Sequence, residues 1–497
     1  MTRLASLYVR YIPLGVVFVF GIYGALLRYW NLSIQPYWMD EGYTILAIRT
    51  LIERGTLVLD SGFLYHCFTY CYPTAAIAHV WGASALTYRL IAVLAGIACI
   101  FIIFHVTRHL FDVRAALLTS FFITFSYWHI AWSRQARWYT LFTACVWVAV
   151  YFFHRFLSEQ EHKKRHLFFA TLSTALAMAT HGLGYILPMI FACWFTVNAL
   201  KKQSFRLRHS ITVLGIGIAT LAFLEHTMHF LSHITLHYTL PYYLNFYIRE
   251  YWFLILLGLI GVMSTYTQYR HTYHILGILC VPYIVAVAFF SDIVHYRYLF
   301  HLTPVFCMLG AVGVCALADT LKHRIGTILV YALVVVCFGI WGGVYLPATT
   351  YYLESDTINP HQARPYYSYT PQPNWNGAYA HIATHTTPDS IIISSHPHFT
   401  KIFLDTAGYW LAHSYLGYDT YDSHTVQGRE LYVDAMIIDS VAELDAITKM
   451  KTGFLVFDYM VTDGRYSEET LAYIQDHFKL VFHEKTNDVS EIWVYAF

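Results

Sequence analysis

Two adjacent carboxylates, Asp40 and Glu41, lie in the motif Trp38-Met39-Asp40-Glu41-Gly42-Tyr43. They follow the first hydrophobic stretch of a mostly apolar chain, where charged side chains are costly to place. A carboxylate can accept a proton from a substrate hydroxyl, so the pair predicts general base catalysis at a membrane surface. A structural alternative stays open, because acids also stabilise the first turn of a helix.

Three arginines are candidates for binding a phosphate at the same surface. Arg134 and Arg137 are three residues apart at an expected helix start, where they would share a face, and Arg297 begins a later hydrophobic stretch. A guanidinium can clamp a phosphate with two parallel hydrogen bonds, although an arginine beside a bilayer can also simply bind lipid headgroups. Carboxylates together with a phosphate clamp indicate transfer of a group from a lipid-linked phosphate.

Composition assigns the chain to the membrane. Its 497 residues are 57% hydrophobic and only 12% charged, with a mean hydropathy of +0.46, which excludes an ordinary soluble enzyme. Residues 1–346 hold 23 Lys and Arg against 11 Asp and Glu, whereas residues 347–497 hold 8 against 19. We therefore predict a transmembrane catalytic domain over 1–346 and an acidic, soluble α/β domain over 347–497. No basic run with interleaved aromatic residues indicates a nucleic acid partner.

The hydrophobic pattern predicts an α-helical polytopic membrane protein with eleven spans of about 20 residues each. The spans cover residues 11–29, 89–107, 115–133, 138–154, 167–181, 184–200, 210–228, 251–267, 273–290, 298–318 and 325–346. Lys and Arg cluster before the first span and after each even-numbered one, which places those ends in the cytoplasm. An odd count then predicts that residues 347–497 are extracytoplasmic, at a plasma (inner) membrane.

The predicted outer segments have their own secondary structure. The loop 30–88 carries two apolar segments, 43–59 and 65–81, which we interpret as interfacial helices lying on membrane lipids. In the C-terminal domain the pattern predicts buried strands, a capped helix and a hairpin. These elements are the strands Ser390–Ser395 and Gly453–Asp458, the helix Tyr466–Phe478 capped by Ser467, and the hairpin of 479–484 with 491–496.

Five motifs in this order resemble those of the membrane-embedded GT-C glycosyltransferases. They are Trp38-Met39-Asp40-Glu41, Gly82-x-Ser84-x-x-x-x-Arg89-Leu90, Trp132-Ser133-Arg134-Gln135-Ala136-Arg137-Trp138-Tyr139, Arg297-Tyr298-Leu299-x-x-x-x-Pro304, and Pro373-Asn374-Trp375-Asn376-Gly377-Ala378. The most similar subgroup comprises protein O-mannosyltransferases and lipid A aminoarabinose transferases. The resemblance spans roughly residues 1–400. Many relatives carry DEARY where this chain reads DEGYT, so an arginine is missing, and Arg49 is the candidate cation in its place.

The resemblance implies a polyprenyl-phosphate sugar donor, a protein, lipid or glycan hydroxyl as acceptor, and an inverting reaction. Asp40 would accept the acceptor's proton, and Glu41 would position the acceptor or tune Asp40. Arg134, Arg137 or Arg297 would stabilise the departing phosphate. The residues expected to bind substrate or support the site are Tyr43, Arg49, Arg89, Tyr139 and His181.

Some alternatives stay open at this point. No cofactor is expected, although a requirement for a divalent metal is not ruled out. Cys67 and Cys71, with His66, could form a disulfide, two free thiols or a metal set. A lipid-linked sugar transporter or flippase would have broken central helices and buried mid-membrane charges, whereas the predicted spans are nearly free of acids apart from Glu225. A non-catalytic envelope assembly protein is the third reading.

Overall fold

The computed structural model describes residues 3–159, 161–201, 239–290, 295–323, 326–349, 373–412, 425–426, 428–458, 466–487 and 490–497. The predicted span 210–228 and Glu225 lie outside these residues. Nine helices occupy the described part of the first 201 residues. They are α1 (Arg3–Tyr29), α2 (Met39–Arg54), α3 (Phe68–Trp81), α4 (Ala85–Leu110), α5 (Val113–Phe125), α6 (Tyr127–Ser133), α7 (Tyr139–Ser158), α8 (Lys163–Thr180) and α9 (Ile186–Lys201).

The predicted division between the spans 167–181 and 184–200 is confirmed. A short 3-10 helix, Gly182–Tyr185, separates α8 from α9, and the His181 ring caps it by accepting a hydrogen bond from the Leu183 N–H at 3.1 Å. Such a side-chain acceptor satisfies an amide that the helix itself leaves without a partner.

The prediction of one continuous helix over residues 115–133 is wrong. The chain leaves helical geometry at Ser126, so α5 and α6 are separate. The Arg28 guanidinium donates to the carbonyls of Ile123 at 3.1 Å and Thr124 at 3.3 Å, at the end of α5. A cation is favourable there, because the last carbonyls of a helix are unpaired and carry partial negative charge.

The predicted spans 251–267 and 273–290 form one antiparallel pair inside α10 (Leu240–Phe290). Tyr269 is non-helical, with φ −114° and ψ 21°. The Thr239 N–H donates to the Ala288 carbonyl at 3.0 Å, so the two ends of this segment meet. A straight helix of 51 residues would separate its ends by roughly 76 Å, so the chain must reverse near Tyr269. A 3-10 turn (Tyr296–Leu302), α11 (Thr303–Leu321) and α12 (Thr327–Ile340) follow.

Among the described residues, five helical segments are long and apolar enough to cross a membrane. They are Tyr11–Tyr29, Ala85–Leu110, Tyr139–Ser158, Leu240–Phe290 and Tyr296–Leu321. Three shorter apolar helices accompany them, at Val113–Phe125, Gly182–Thr196 and Thr327–Ile340. The protein is therefore a multi-pass membrane protein, whereas the count of eleven spans stays a prediction.

The C-terminal α/β prediction is confirmed. Helices α13 (Trp375–His385), α14 (Pro397–Leu404), α15 (Val441–Met450) and α16 (Glu468–His477) accompany eight strands within the described residues. The strands are β1 (Ile391–Ser394), β2 (Tyr409–Leu411), β3 (Thr425–Val426), β4 (Arg429–Glu430), β5 (Met436–Ile438), β6 (Gly453–Asp458), β7 (Lys479–Asn487) and β8 (Ser490–Ala496). They form one sheet in the order β3-β4-β5-β2-β1-β6-β8-β7.

The centre of this sheet is parallel and its β7–β8 edge is the predicted antiparallel hairpin. The predicted Ser467 cap of α16 is also confirmed, since its side chain accepts a hydrogen bond from the Thr470 N–H at 3.1 Å. Ile393, Leu455 and Ile474 belong to the apolar core of the domain.

The chain divides into two compact units that interleave along the sequence. The helical unit comprises residues 1–30, 92–133 and 138–347. The sheet unit comprises residues 31–91, 134–137 and 348–497. Loop 31–91, which we placed in the catalytic membrane domain, thus shares a compact unit with the C-terminal sheet. Asp40, Glu41, Arg89, Arg134 and Arg137 all belong to this sheet unit.

Candidate active site

The two acids occupy the first turn of α2. The helix begins at Met39, with Trp38 as its N-cap residue. Glu41 is the third helical residue, and its Oε2 accepts a hydrogen bond from the Trp38 N–H at 2.9 Å. A glutamate at this position commonly reaches back to the capping residue in this way. Glu41 therefore stabilises the first turn of α2, as the structural alternative for the acid pair expects.

Glu41 also forms an enclosed ion pair with Arg89. The Arg89 Nε and Nη2 atoms each donate to one carboxylate oxygen of Glu41 at 2.8 Å. The remaining guanidinium hydrogens bind the carbonyls of Leu32, Gln35 and Pro36 at 2.8–3.0 Å. All five donors of Arg89 are therefore used, and both side chains are fully buried. Arg89 binds loop 32–36 to the start of α2.

Glu41 has further hydrogen-bond partners besides Arg89. Its Oε1 also accepts from the Ala136 N–H at 2.6 Å. The Gln135 amide fits its neighbours when its nitrogen faces Glu41 and its oxygen faces Gln35. A carboxylate enclosed by these donors has no open face for an acceptor. Glu41 thus binds Arg89 and the 134–137 segment, and its expected role, to position the acceptor or to tune Asp40, stays a prediction.

The arginine pair is placed differently from the sequence-based expectation. Residues 134–137 form a turn between α6 and α7 rather than a helix start, so Arg134 and Arg137 do not share a helical face. Arg134 is fully buried. Its Nε donates to the Gln35 side-chain oxygen at 3.0 Å and its Nη2 to the Thr349 carbonyl at 2.8 Å. The turn directs these two arginines to separate partners.

Arg137 is the cation that contacts Asp40. Its Nη2 lies 3.3 Å from Asp40 Oδ2. Its Nη1 donates to the Asp40 carbonyl at 3.0 Å, to Thr44 Oγ1 at 3.1 Å and to the Tyr65 hydroxyl at 2.8 Å. The Asp40 side chain retains 12% exposure, in contrast to Glu41. Consecutive helical residues point about 100° apart, so Asp40 and Glu41 reach different arginines.

Aromatic side chains enclose this start of α2. The Tyr43 ring stacks on Tyr432, with centroids 4.0 Å apart, and lies 4.3 Å from the ring of His398. Burial raises the pKa of Tyr43 well above its usual value. Burial also raises the pKa of Tyr65, while the nearby Arg137 charge partly lowers it. Both phenols therefore stay protonated at neutral pH and act through their rings and neutral hydroxyls.

Arg49 does not stand in for the missing arginine of the motif. It follows Asp40 by nine residues, about 13.5 Å along the same helix. Its Nη1 donates to the Ile402 carbonyl at 2.7 Å, and its Nη2 lies 3.8 Å from Asp405. Arg49 thus binds α2 to α14, and Arg137 supplies the positive charge beside Asp40.

The helical unit holds the other predicted residues. The His181 ring lies 6.0 Å from that of Tyr139 and 5.9 Å from that of Tyr298. The Arg297 guanidinium lies 5.9 Å from the Tyr298 ring and is mostly buried. His181 and Arg297 therefore both contact Tyr298, and Tyr139 contacts His181.

Five residues of the sheet-unit site were not predicted: Gln35, Gln135, Tyr65, His398 and Tyr432. Gln135 could have been predicted from the sequence, since it lies between the two arginines of the 132–139 motif. Tyr65 and Tyr432 are 367 residues apart, and no local pattern connects them.

The open question about the outer cysteines is resolved in favour of a disulfide. Cys67 and Cys71 are bonded, with their Cα atoms 5.4 Å apart. Within the described residues, no cluster of three or more His, Cys, Asp or Glu is arranged to hold a metal ion. The alternatives of two free thiols and of a metal set with His66 do not apply, because both sulfur atoms are in the disulfide.

Comparison with known proteins identifies the fold. The chain is similar to ArnT from Cupriavidus metallidurans in the apo state, with a TM-score of 0.62, 13% identity, and coverage of 97% of this chain and 98% of that one. It is also similar to the oligosaccharyltransferase AglB from Archaeoglobus fulgidus in complex with an inhibitory peptide and a dolichol-phosphate. That match has a TM-score of 0.58, 13% identity, and coverage of 98% of this chain and 74% of that one.

The chain has the GT-C glycosyltransferase fold. The fold expected from the five motifs is thus confirmed. ArnT bound to undecaprenyl phosphate matches with a TM-score of 0.61 and 13% identity, covering 97% of this chain and 98% of that one. The family described as dolichyl-phosphate-mannose-protein mannosyltransferase matches residues 66–229, which contain Arg134 and Arg137. No curated protein sequence matches the chain.

Proposed function

We propose that this protein is a membrane glycosyltransferase that moves a sugar from a polyprenyl-phosphate donor to an acceptor hydroxyl with inversion. The observation that carries the proposal is the Asp40–Arg137 contact at 3.3 Å, at the start of a helix in a GT-C fold. Asp40 is the partly exposed member of the acid pair. It is therefore the acid that an acceptor can reach.

The reaction assigns a role to each side chain. The acceptor oxygen attacks the anomeric carbon, a new glycosidic bond forms, and the bond from that carbon to the phosphate oxygen breaks. Asp40 accepts the hydroxyl proton, and Arg137 orients its carboxylate. Negative charge develops on the leaving phosphate, where a preorganised guanidinium is most effective. Arg134, Arg137 or Arg297 is the proposed source of that charge. His181 contacts Tyr298, the ring that Arg297 also contacts.

The donor and acceptor classes have support from similar proteins. ArnT has been observed with undecaprenyl phosphate, and AglB with a dolichol-phosphate and an inhibitory peptide. An AglB structure tethered to an acceptor peptide also matches this chain. These likenesses favour a polyprenyl-phosphate donor and a protein or lipid acceptor for this chain.

We place the protein in the plasma (inner) membrane with its C-terminal domain on the extracytoplasmic side. The one-sided distribution of Lys and Arg supports this orientation. The Cys67–Cys71 disulfide in the sheet unit supports it as well, because disulfides persist in oxidising compartments.

We further propose that transfer needs no divalent metal. Hard divalent cations prefer carboxylate ligands, and the two candidate acids are each already paired with an arginine. Chelator treatment tests this point: transfer that persists in EDTA supports it, and transfer restored only by added Mn²⁺ or Mg²⁺ contradicts it.

The deciding experiment is transfer of radiolabel in purified protein or membranes from a panel of polyprenyl-phosphate sugars. Wild type should form a labelled product, and Asp40→Asn should not. Asp439→Asn is the matched control, because it makes the same change at an exposed residue of the same unit. Movement of the donor across the bilayer without product formation would favour the flippase reading instead.

A further inference from the structure

The start of α2 packs closely against α14 within the sheet unit. A Cβ atom added to Gly42 would lie 2.9 Å from His398 Nε2 and 3.2 Å from the Phe399 ring. Real Cβ atoms essentially never approach other atoms within 3.0 Å, so a side chain at position 42 would force the His398 ring to shift. The next residue, Tyr43, stacks between His398 and Tyr432. The C-terminal domain thus contacts the turn of α2 that carries Asp40.

Tyr432 is held at the tip of the β4–β5 turn. The Glu430 Oε2 atom accepts hydrogen bonds from the backbone N–H groups of Tyr432 at 2.9 Å and Val433 at 2.7 Å. The Ser61 hydroxyl donates to the Leu431 carbonyl, which anchors the same turn to loop 55–67. Glu430 itself is only 3% exposed. These hydrogen bonds fix the position of Tyr432 in the turn.

A short series of contacts connects Tyr432 to Asp40. The Tyr432 ring meets the Tyr65 ring nearly edge-on, with centroids 6.5 Å apart and an interplanar angle of 70°. The Tyr65 hydroxyl accepts a hydrogen bond from Arg137 Nη1 at 2.8 Å and exchanges one with Thr44 at 3.2 Å. Arg137 in turn contacts the Asp40 carboxylate. The ring of Tyr432 thus limits where Tyr65, and through it Arg137, can lie.

We infer that Tyr432, presented by Glu430, is a positioning residue that sets the Arg137–Asp40 contact. Through Tyr432 the C-terminal domain thereby contributes to the chemistry. This inference rests on the proposed function, because its main readout is the rate of sugar transfer.

The test compares substitutions of Tyr432 with a matched control in the full-length purified protein. Tyr432→Ala removes the stacked ring, and Tyr432→Phe keeps it. Tyr473→Ala makes the same change in α16, where the ring stacks on His477 at 4.2 Å. We expect kcat of Tyr432→Ala to fall about 10- to 100-fold, since displacement of a catalytic group by about 1 Å can cost about 100-fold. Binding of undecaprenyl phosphate, used as the probe, should be unchanged.

Tyr432→Phe should retain most of the wild-type kcat, and Tyr473→Ala should resemble wild type. Equal losses in Tyr432→Ala and Tyr473→Ala would overturn the inference, because general destabilisation would then explain both. Full activity of Tyr432→Ala would overturn it as well and leave the proposed function intact. A wild type that transfers no sugar refutes the proposed function instead. Hydrogen exchange then still tests whether Tyr432 positions Arg137. Amides of segment 134–140 should exchange faster in Tyr432→Ala than in Tyr473→Ala. Equal exchange rates in the two variants would contradict the inference.

Discussion

Glu41 and Arg89 form a fully buried ion pair in which every donor of the guanidinium has an acceptor. Adjacent to it, Asp40 keeps a partly exposed carboxylate beside Arg137. The two acids of the motif therefore have different surroundings: Glu41 is enclosed beside Arg89, and Asp40, the proposed base, is partly exposed beside Arg137.

The buried pair should matter for stability more than for substrate affinity. Glu41→Gln leaves the Arg89 charge buried without its counter-charge, and breaking a buried pair costs about 3–5 kcal/mol. Arg89→Lys keeps the charge but loses the planar fork. We expect both variants to lower the apparent melting temperature of the purified protein. If Glu41→Gln instead melts like wild type and raises the KM for the acceptor, the result would show that Glu41 positions the acceptor.

Asp40→Asn should abolish most turnover and spare donor binding. The amide keeps the shape of the side chain and removes the base, so kcat should fall about 10²–10⁴-fold. Undecaprenyl phosphate binding, measured separately, should stay near wild type. If Asp40→Asn turns over normally, Asp40 is not the base.

Replacing the three candidate phosphate ligands by lysine should separate their roles. Lysine retains charge but cannot form the bidentate contact of a guanidinium. We expect Arg297→Lys or Arg134→Lys to weaken use of the donor, visible as a raised KM. Arg137→Lys should lower kcat, because Arg137 contacts Asp40. Unchanged kinetics in all three variants would remove them from the donor site.

The sheet unit should be less stable at neutral than at acidic pH because of Glu430. Burial raises the pKa of Glu430 to about 7, aided by Asp434 and opposed by its two backbone hydrogen bonds. Tyr43 and Tyr432 also face this carboxyl group. As pH rises from about 4.5, the unfolded carboxyl ionises first, so the stabilisation present at low pH is lost progressively up to about pH 7.

Glu430→Gln should remove this dependence, because glutamine offers the same acceptor oxygen without ionising. The measurement is the apparent melting temperature of both proteins at pH 5 and pH 8. An identical pH response in wild type and Glu430→Gln would show that other groups control it.

The C-terminus should lie outside the cytoplasm. Eleven spans and the one-sided Lys and Arg pattern predict this orientation. A reporter that is active only outside the cytoplasm, fused after Phe497, should be active. Activity of a cytoplasm-specific reporter at the same position would require an even number of spans.

Local patterns were sufficient for the class of protein and for several elements. Composition assigned the chain to the membrane, the glycine-containing segment 181–184 separated two predicted spans, and short strand patterns located β6 and the β7–β8 hairpin. Short motifs also identified Asp40 and Arg137. These features depend on neighbouring residues, for which periodicity and capping preferences are informative.

Tertiary structure decided what those residues do. Glu41 meets Arg89 across 48 residues, Arg137 meets Asp40 across 97, and Tyr432 reaches Tyr43 from the far end of the chain. The sequence placed Arg134 and Arg137 on a helix, but residues 134–137 form a turn. There the two arginine side chains and the Ala136 N–H bond to distant partners. The sequence by itself determined a membrane enzyme fold with an acid pair. Which acid is enclosed and which is exposed follows only from packing between segments that no local pattern relates.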